Sequence, residues 1–210
     1  MRAYMKSHLF RQSLLVFAGL PLFIWTMGRF PERSILKEFL SVTTILAFCQ
    51  MAGQFFWTRA NRSAVADFKM RDVLNYHKAI GYTAVLILFF PPLYLLAPRF
   101  FEAGFSPVEA FITIISTLNQ GVVLGIIAWC LMLALGITSL ARKKLSMTYK
   151  TWRVFHGILA MLFLSIAAWH VIDLGRHSNQ AMVILFSILT VGGILLLLKT
   201  YTLKKPARPK

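Results

Sequence analysis

Three histidines in apolar surroundings are the residues of this sequence best placed by type and spacing to do chemistry. His156 and His170 lie in one hydrophobic stretch, residues 149–175, YKTWRVFHGILAMLFLSIAAWHVIDLG. They are 14 residues apart. On a helix this is about 1400° of rotation, or four turns less about 40°, so both imidazoles fall on nearly one face, about 21 Å apart along the axis. His77 opens a second apolar stretch, YHKAIGYTAVLILFFPPLY. A neutral imidazole ligates metals and serves as an axial ligand of haem iron. A helix with two histidines at the two depths of a membrane therefore suggests two metal or haem positions stacked across it. The competing reading is that interfacial histidines hydrogen-bond to backbone or lipid headgroups, because a polar group in hydrocarbon is costly unless paired.

Stretches of this kind must be carried by membrane-spanning helices. The chain has 210 residues, 58% hydrophobic and 14% charged, with a mean hydropathy of +0.66. That is too apolar for a soluble domain, and the length suits about six spans of about 20 residues. The fold class expected is all-α, a polytopic six-helix bundle forming a single domain over 1–210. The spans fall at residues 9–27, 34–57, 76–96, 122–140, 151–174 and 181–198. The N-terminus resembles a signal peptide, with a basic start and an apolar middle, but lacks a small-residue cleavage site and reads as a retained first span. Pro21 is expected to kink it, Ser34 to cap the second span, and Pro91-Pro92 to end the third. Residues 107–140 could form one helix about 51 Å long, well beyond the hydrocarbon thickness of about 30 Å. Asn119-Gln120-Gly121 supplies a break, leaving a short interfacial helix at 107–118 before span four. Ser106, Pro107 and Glu109 fit N-cap, N1 and N3 of that helix.

The net charge of +16 does not point to nucleic acid, because Lys and Arg cluster at the ends of apolar runs, as topology signals do. With an even number of spans, 18 of the 23 Lys and Arg residues fall on the side of the termini. The positive-inside rule then places both termini in the cytoplasm of a bacterial inner membrane. Trp25, Trp57, Trp152 and Trp169 lie near span ends, where interface anchors sit. Cys49 and Cys130 read as small buried hydrophobes and not as a disulfide. His177 reads as a solvated loop residue and His8 as a surface residue. Gly121 and Gly125 form a GxxxG that points to helix packing. Gln50 and Gln54 favour interhelical hydrogen bonds over a quinone or proton path.

Spans three and five run in the same direction, so His77 and His156 both lie near the cytoplasmic face. Two imidazoles from parallel helices can ligate one haem iron. A second site at the depth of His170 would need a ligand about 14 residues beyond His77, and that position is Pro91, which cannot ligate.

The pattern resembles the ferric reductase-like transmembrane domain, the family of ferric reductases, NADPH oxidases and methionine-sulfoxide-reductase haem subunits. His77 with Gly81, and His156 with His170, stand where that family places its histidines and its span-three glycine. Pro91 stands where it has a second span-three histidine. The resemblance implies an inner haem b held by His77 and His156, and an outer position, His170, without its partner. It leaves Gly81 and Gly157 as either close-packing residues or room for the macrocycle. Arg153, with Lys78, could neutralise haem propionates. A Gly-rich dinucleotide fingerprint is absent, so the expected donor is a separate soluble flavoprotein reductase or a membrane quinol. The function expected is membrane-confined electron transfer, as the non-self-sufficient subunit of an oxidoreductase. The alternative is a non-redox scaffold or small transporter, a degenerate member of the family.

Overall fold

Long apolar runs become helices in a membrane because no water is present to satisfy free backbone groups. A computed structural model describes residues 8–30, 34–57, 61, 65, 66, 68–101, 108, 109, 112, 116, 120–175 and 177–202. Among these residues there is no strand. Helix α1 consists of His8–Leu14 and Leu20–Met27 joined by a π-helical turn, Leu15–Gly19. The others are α2 (Ile35–Gly53), α3 (Met70–Phe101), α4 (Gln120–Leu140), α5 (Tyr149–Leu174) and α6 (Gln180–Thr202). Five of the six are long and apolar enough to span a bilayer, and residues 11–27 form a shorter apolar helix. The protein is an all-helical, multi-pass membrane protein.

Several boundaries differ from those expected. The irregularity in α1 is the π-turn just before buried Pro21; proline lacks an N–H, and a widened turn absorbs the missing bond. Ser34 occupies the N-cap position of α2, but its side chain makes no capping hydrogen bond. This helix stops at Gly53, and residues 54–57 continue as a turn. Helix α3 starts at Met70, so His77 lies two turns inside it, and the helix continues through Pro91-Pro92 to Phe101. Membrane helices tolerate such prolines because neighbouring groups satisfy the freed carbonyls. Gln120 and Gly121 are the first two residues of α4, while Asn119 lies outside the described residues. Apart from residues 108, 109, 112 and 116, the expected interfacial helix lies outside the described residues, as do Ser106 and Pro107.

The helices form a ring. Helix α2 packs on α3, α3 on α4, α4 on α5, α5 on α6, and α6 back on α2, with α1 lying against α2 and α6. The closest association is between α4 and α5. Helices α3 and α5 are not a packed pair; they flank α4 on its two sides. Phe48, Cys49, Met132, Phe163, Leu164, Met182 and Phe186 fill the core. Large apolar side chains such as Phe23, Phe39, Leu86, Ile137, Ile188 and Leu195 point outward, the surface expected of helices solvated by lipid. Cys130 also lies on this outer surface, whereas Cys49 is fully buried. The expectation that both are buried therefore holds only for Cys49; helix rotation, invisible in a run that is apolar all round, puts Cys130 outside. Trp57 is also buried, packed against Phe68 and Tyr76, because the turn after α2 folds it back over the start of α3. Trp169 is exposed.

Candidate functional site

His77 and His156 are each the eighth residue of their helices, α3 and α5. Each therefore lies about 10 Å along the axis from the helix start. Helix α5 has a defined start because the Thr148 hydroxyl accepts the Thr151 N–H at 3.2 Å, an N-cap of the usual serine/threonine type. The two imidazoles meet across the gap between α3 and α5, with ring centroids 6.4 Å apart and planes at 72°. Two imidazoles bonded to opposite sides of one metal ion would have centroids about 6 Å apart, given metal–nitrogen bonds of about 2 Å. His156 Nδ1 is buried and has no hydrogen-bond partner among the described residues. Buried polar atoms normally find partners. This donor pair, held by helices that do not pack on each other, fits an axial haem ligand set. Among the described residues no group of three His, Cys, Asp or Glu side chains converges, so a multidentate metal site of that kind is not built there.

Aromatic rings lead from His156 to the end of the helix. Trp152 stacks on His156 at 5.0 Å and 26°, and Tyr149 stacks on Trp152 at 6.1 Å and 21°. The Arg142 guanidinium lies over both rings, 4.5 Å from the Tyr149 centroid and 5.1 Å from that of Trp152. Trp152 is thus engaged with protein and is not simply an interface anchor. Lys78 and Arg153 are exposed beside the two histidines, and the Arg153 carbonyl accepts the Tyr201 hydroxyl at 3.3 Å.

The two glycines face different neighbours. A Cβ on Gly81 would sit 3.7 Å from the Gln54 amide nitrogen and 3.9 Å from its oxygen. Gln54 is 7% exposed, and its amide lies against the His77 ring. It is the site neighbour whose partner was not legible in the sequence; the signal was a glutamine in an otherwise apolar run. A Cβ on Gly157 would collide with the Tyr201 hydroxyl, so Gly157 makes room for α6.

His170 is not brought near the other two histidines in the described contacts. Its Nδ1 pairs with the Gly121 carbonyl at 2.7 Å, and its ring lies over Gly125, where a Cβ would be 2.6 Å from Cε1. The GxxxG of α4 is thus the groove that receives His170, and helix packing and this histidine are one feature. Pro91 lies within α3.

His177 departs most from expectation. It is 4% exposed, with Nε2 3.2 Å from Glu38 Oε1. The same carboxylate oxygen accepts Trp25 Nε1–H at 3.0 Å, and Phe30 stands edge-on to the imidazole at 4.3 Å. Glu38 thereby ties α1, α2 and the α5–α6 loop together. A loop histidine looks solvated in sequence because its partners come from two distant helices.

The family model described as "Ferric reductase like transmembrane component" matches residues 43–167, more than half of the chain. The chain belongs to this family. The matched span contains Gln54, His77, Gly81, Arg153, His156 and Gly157, while His170 lies just beyond it. The chain is also 41% identical over 158 residues to an "Uncharacterized protein" of Archaeoglobus fulgidus (strain ATCC 49558 / DSM 4304 / JCM 9628 / NBRC 100126 / VC-16), covering 75% of this chain and 86% of the relative. No solved structure matches the chain.

Proposed function

We propose that this protein carries electrons within the membrane through one b-type haem held axially by His77 and His156. The observation that carries the reading is the 6.4 Å approach of the two rings across the gap between α3 and α5. Membership of the ferric reductase-like family supports a redox role. Bound haem would supply a one-electron iron centre whose potential follows from its axial ligands and its burial. The chain's own contribution is to aim two imidazoles at one point, to exclude water with the surrounding apolar helices, and to stack Trp152 against one ligand. Exposed Lys78 and Arg153 are placed to neutralise propionates.

A single haem is the reading favoured, because His170 has a backbone partner in Gly121 and Pro91 offers no ligand. The donor is a soluble flavoprotein reductase or a quinol. The protein works in a bacterial-type cell membrane with both termini in the cytoplasm, which the distribution of Lys and Arg supports. The protein would thus serve as the electron-carrying subunit of an oxidoreductase completed by another protein.

The test is haem content and reduced-minus-oxidised spectra of the purified protein and its variants. His77→Ala and His156→Ala should each lose the same haem, and His170→Ala should keep it. Wild-type protein without a reducible haem b signal would overturn the proposal and favour a scaffold or transporter role. Loss of haem in His170→Ala alone would overturn the assignment of the ligand pair.

A further inference from the structure

We propose that Gln54 is the positioning residue of His77, its amide setting which ring nitrogen of that histidine carries the proton. The inference rests on the reading of His77 as an axial ligand. Gln54 lies in the turn that follows α2, buried against α3. One polar end of its amide is 2.5 Å from His77 Nδ1 and 3.2 Å from the His77 carbonyl; the other is 3.2 Å from the Gly81 nitrogen. A Cβ at Gly81 would reach this amide at ordinary van der Waals distance, 3.7 Å from its nitrogen.

The two ways round of a carboxamide demand opposite tautomers, because its oxygen only accepts and its nitrogen only donates. With nitrogen toward the ring, Gln54 donates to Nδ1 and to the His77 carbonyl, and its oxygen accepts the Gly81 N–H. The ring proton then sits on Nε2, which cannot ligate. With oxygen toward the ring, it accepts Nδ1–H, and the amide nitrogen donates to Met51 Sδ at 3.7 Å. This leaves the Nε2 lone pair free for a metal. The first orientation satisfies both ends of the amide, whereas the second also sets the oxygen against the His77 carbonyl and the nitrogen against the Gly81 N–H. The metal-free protein therefore favours the first, and freeing Nε2 for a metal takes a half-turn of the amide coupled to a shift of the ring proton. Metal-bound histidines are ordinarily held in this way, the second ring N–H donating to a fixed acceptor. His156 Nδ1 lacks an equivalent partner among the described residues, so the pair is asymmetric and His77 is the oriented ligand.

The experiment compares full-length wild type, Gln54→Leu and Gln54→Glu in detergent. Gln54→Leu keeps similar volume but removes the acceptor; haem affinity should fall about 10–100-fold, the usual effect of losing an outer-shell partner, and the midpoint potential should rise. Gln54→Glu keeps an acceptor oxygen whether or not it is ionised and should retain affinity near that of wild type. A role in packing alone would let leucine hold haem at least as well as glutamate, and that result overturns the proposal. A second measurement does not depend on haem. The side-chain ¹⁵N resonances of His77 in haem-free protein, assigned by their loss in His77→Ala, should shift between wild type and Gln54→Leu as the tautomer is released. Unchanged resonances overturn the proposal. Wild type without haem overturns the electron-transfer reading alone.

Discussion

Substituting Gly125 by alanine tests whether α4 and α5 are joined through His170. The added Cβ would lie 2.6 Å from His170 Cε1 and 2.8 Å from Nδ1, about 1 Å inside the optimal separation of about 3.5–4.0 Å. The ring cannot turn away freely, because its Nδ1 is held at 2.7 Å by the Gly121 carbonyl. Either the two helices separate or that hydrogen bond breaks. Overpacking costs about 1–3 kcal/mol, and an interhelical hydrogen bond in a membrane is worth about 0.6 kcal/mol. Alanine recovers up to about 1 kcal/mol of helix propensity. With all three contributions, Gly125→Ala should lose about 0.6–2.6 kcal/mol of stability. In Gly125→Ala/His170→Ala the obstructing ring is gone, so the double variant should be no less stable than His170→Ala. The coupling energy in that double-mutant cycle should be about 1–3 kcal/mol in favour of the double variant. Equilibrium unfolding in mixed detergent micelles, repeated by thermal unfolding, measures it. Additive effects of the two substitutions, or a Gly125→Ala protein as stable as wild type, would refute the packing of His170 into this groove.

Other consequences follow from the same structure. Glu38→Ala should cost about 1–3 kcal/mol, because it leaves the Trp25 indole N–H and His177 without the shared carboxylate; Glu38→Gln, which keeps an acceptor for Trp25, should cost less. Cys130→Leu, on the lipid-facing surface of α4, should leave stability within about 0.5 kcal/mol of wild type, whereas Cys49→Leu overpacks the core and should cost about 1–3 kcal/mol; equilibrium unfolding distinguishes the two. Trp57→Ala should lower stability by about 3–5 kcal/mol, the cost of emptying a buried tryptophan site, and should perturb the Tyr76 environment that Trp57 packs against; an effect below about 1 kcal/mol would show that Trp57 faces lipid.

The sequence by itself determined that this is a helical membrane bundle, and it did so through length and hydropathy. A run of about 20 apolar residues in a bilayer has no backbone option other than a helix. It also singled out His77 and His156 as a pair, because both lie early in spans that run in the same direction; that each is the eighth residue of its helix followed only from the starts at Met70 and Tyr149. Helix ends were less legible. The third helix passes straight through Pro91-Pro92, since in a membrane a proline is accommodated by its neighbours and not by ending the helix.

Only the tertiary structure decided the rotation of each helix and the partners of the polar groups. When a helix is apolar on every face, no periodicity distinguishes the side toward lipid from the side toward protein, which is why Cys130 could not be told from Cys49. Nor do hydrogen bonds across large sequence separations leave a local signature. His170 with Gly121, Gln54 with His77, and His177 with Glu38 are each joined only when the ring of helices closes. The sequence named the imidazoles, and the packing decided which of them face each other and which are occupied by the protein's own backbone and side chains.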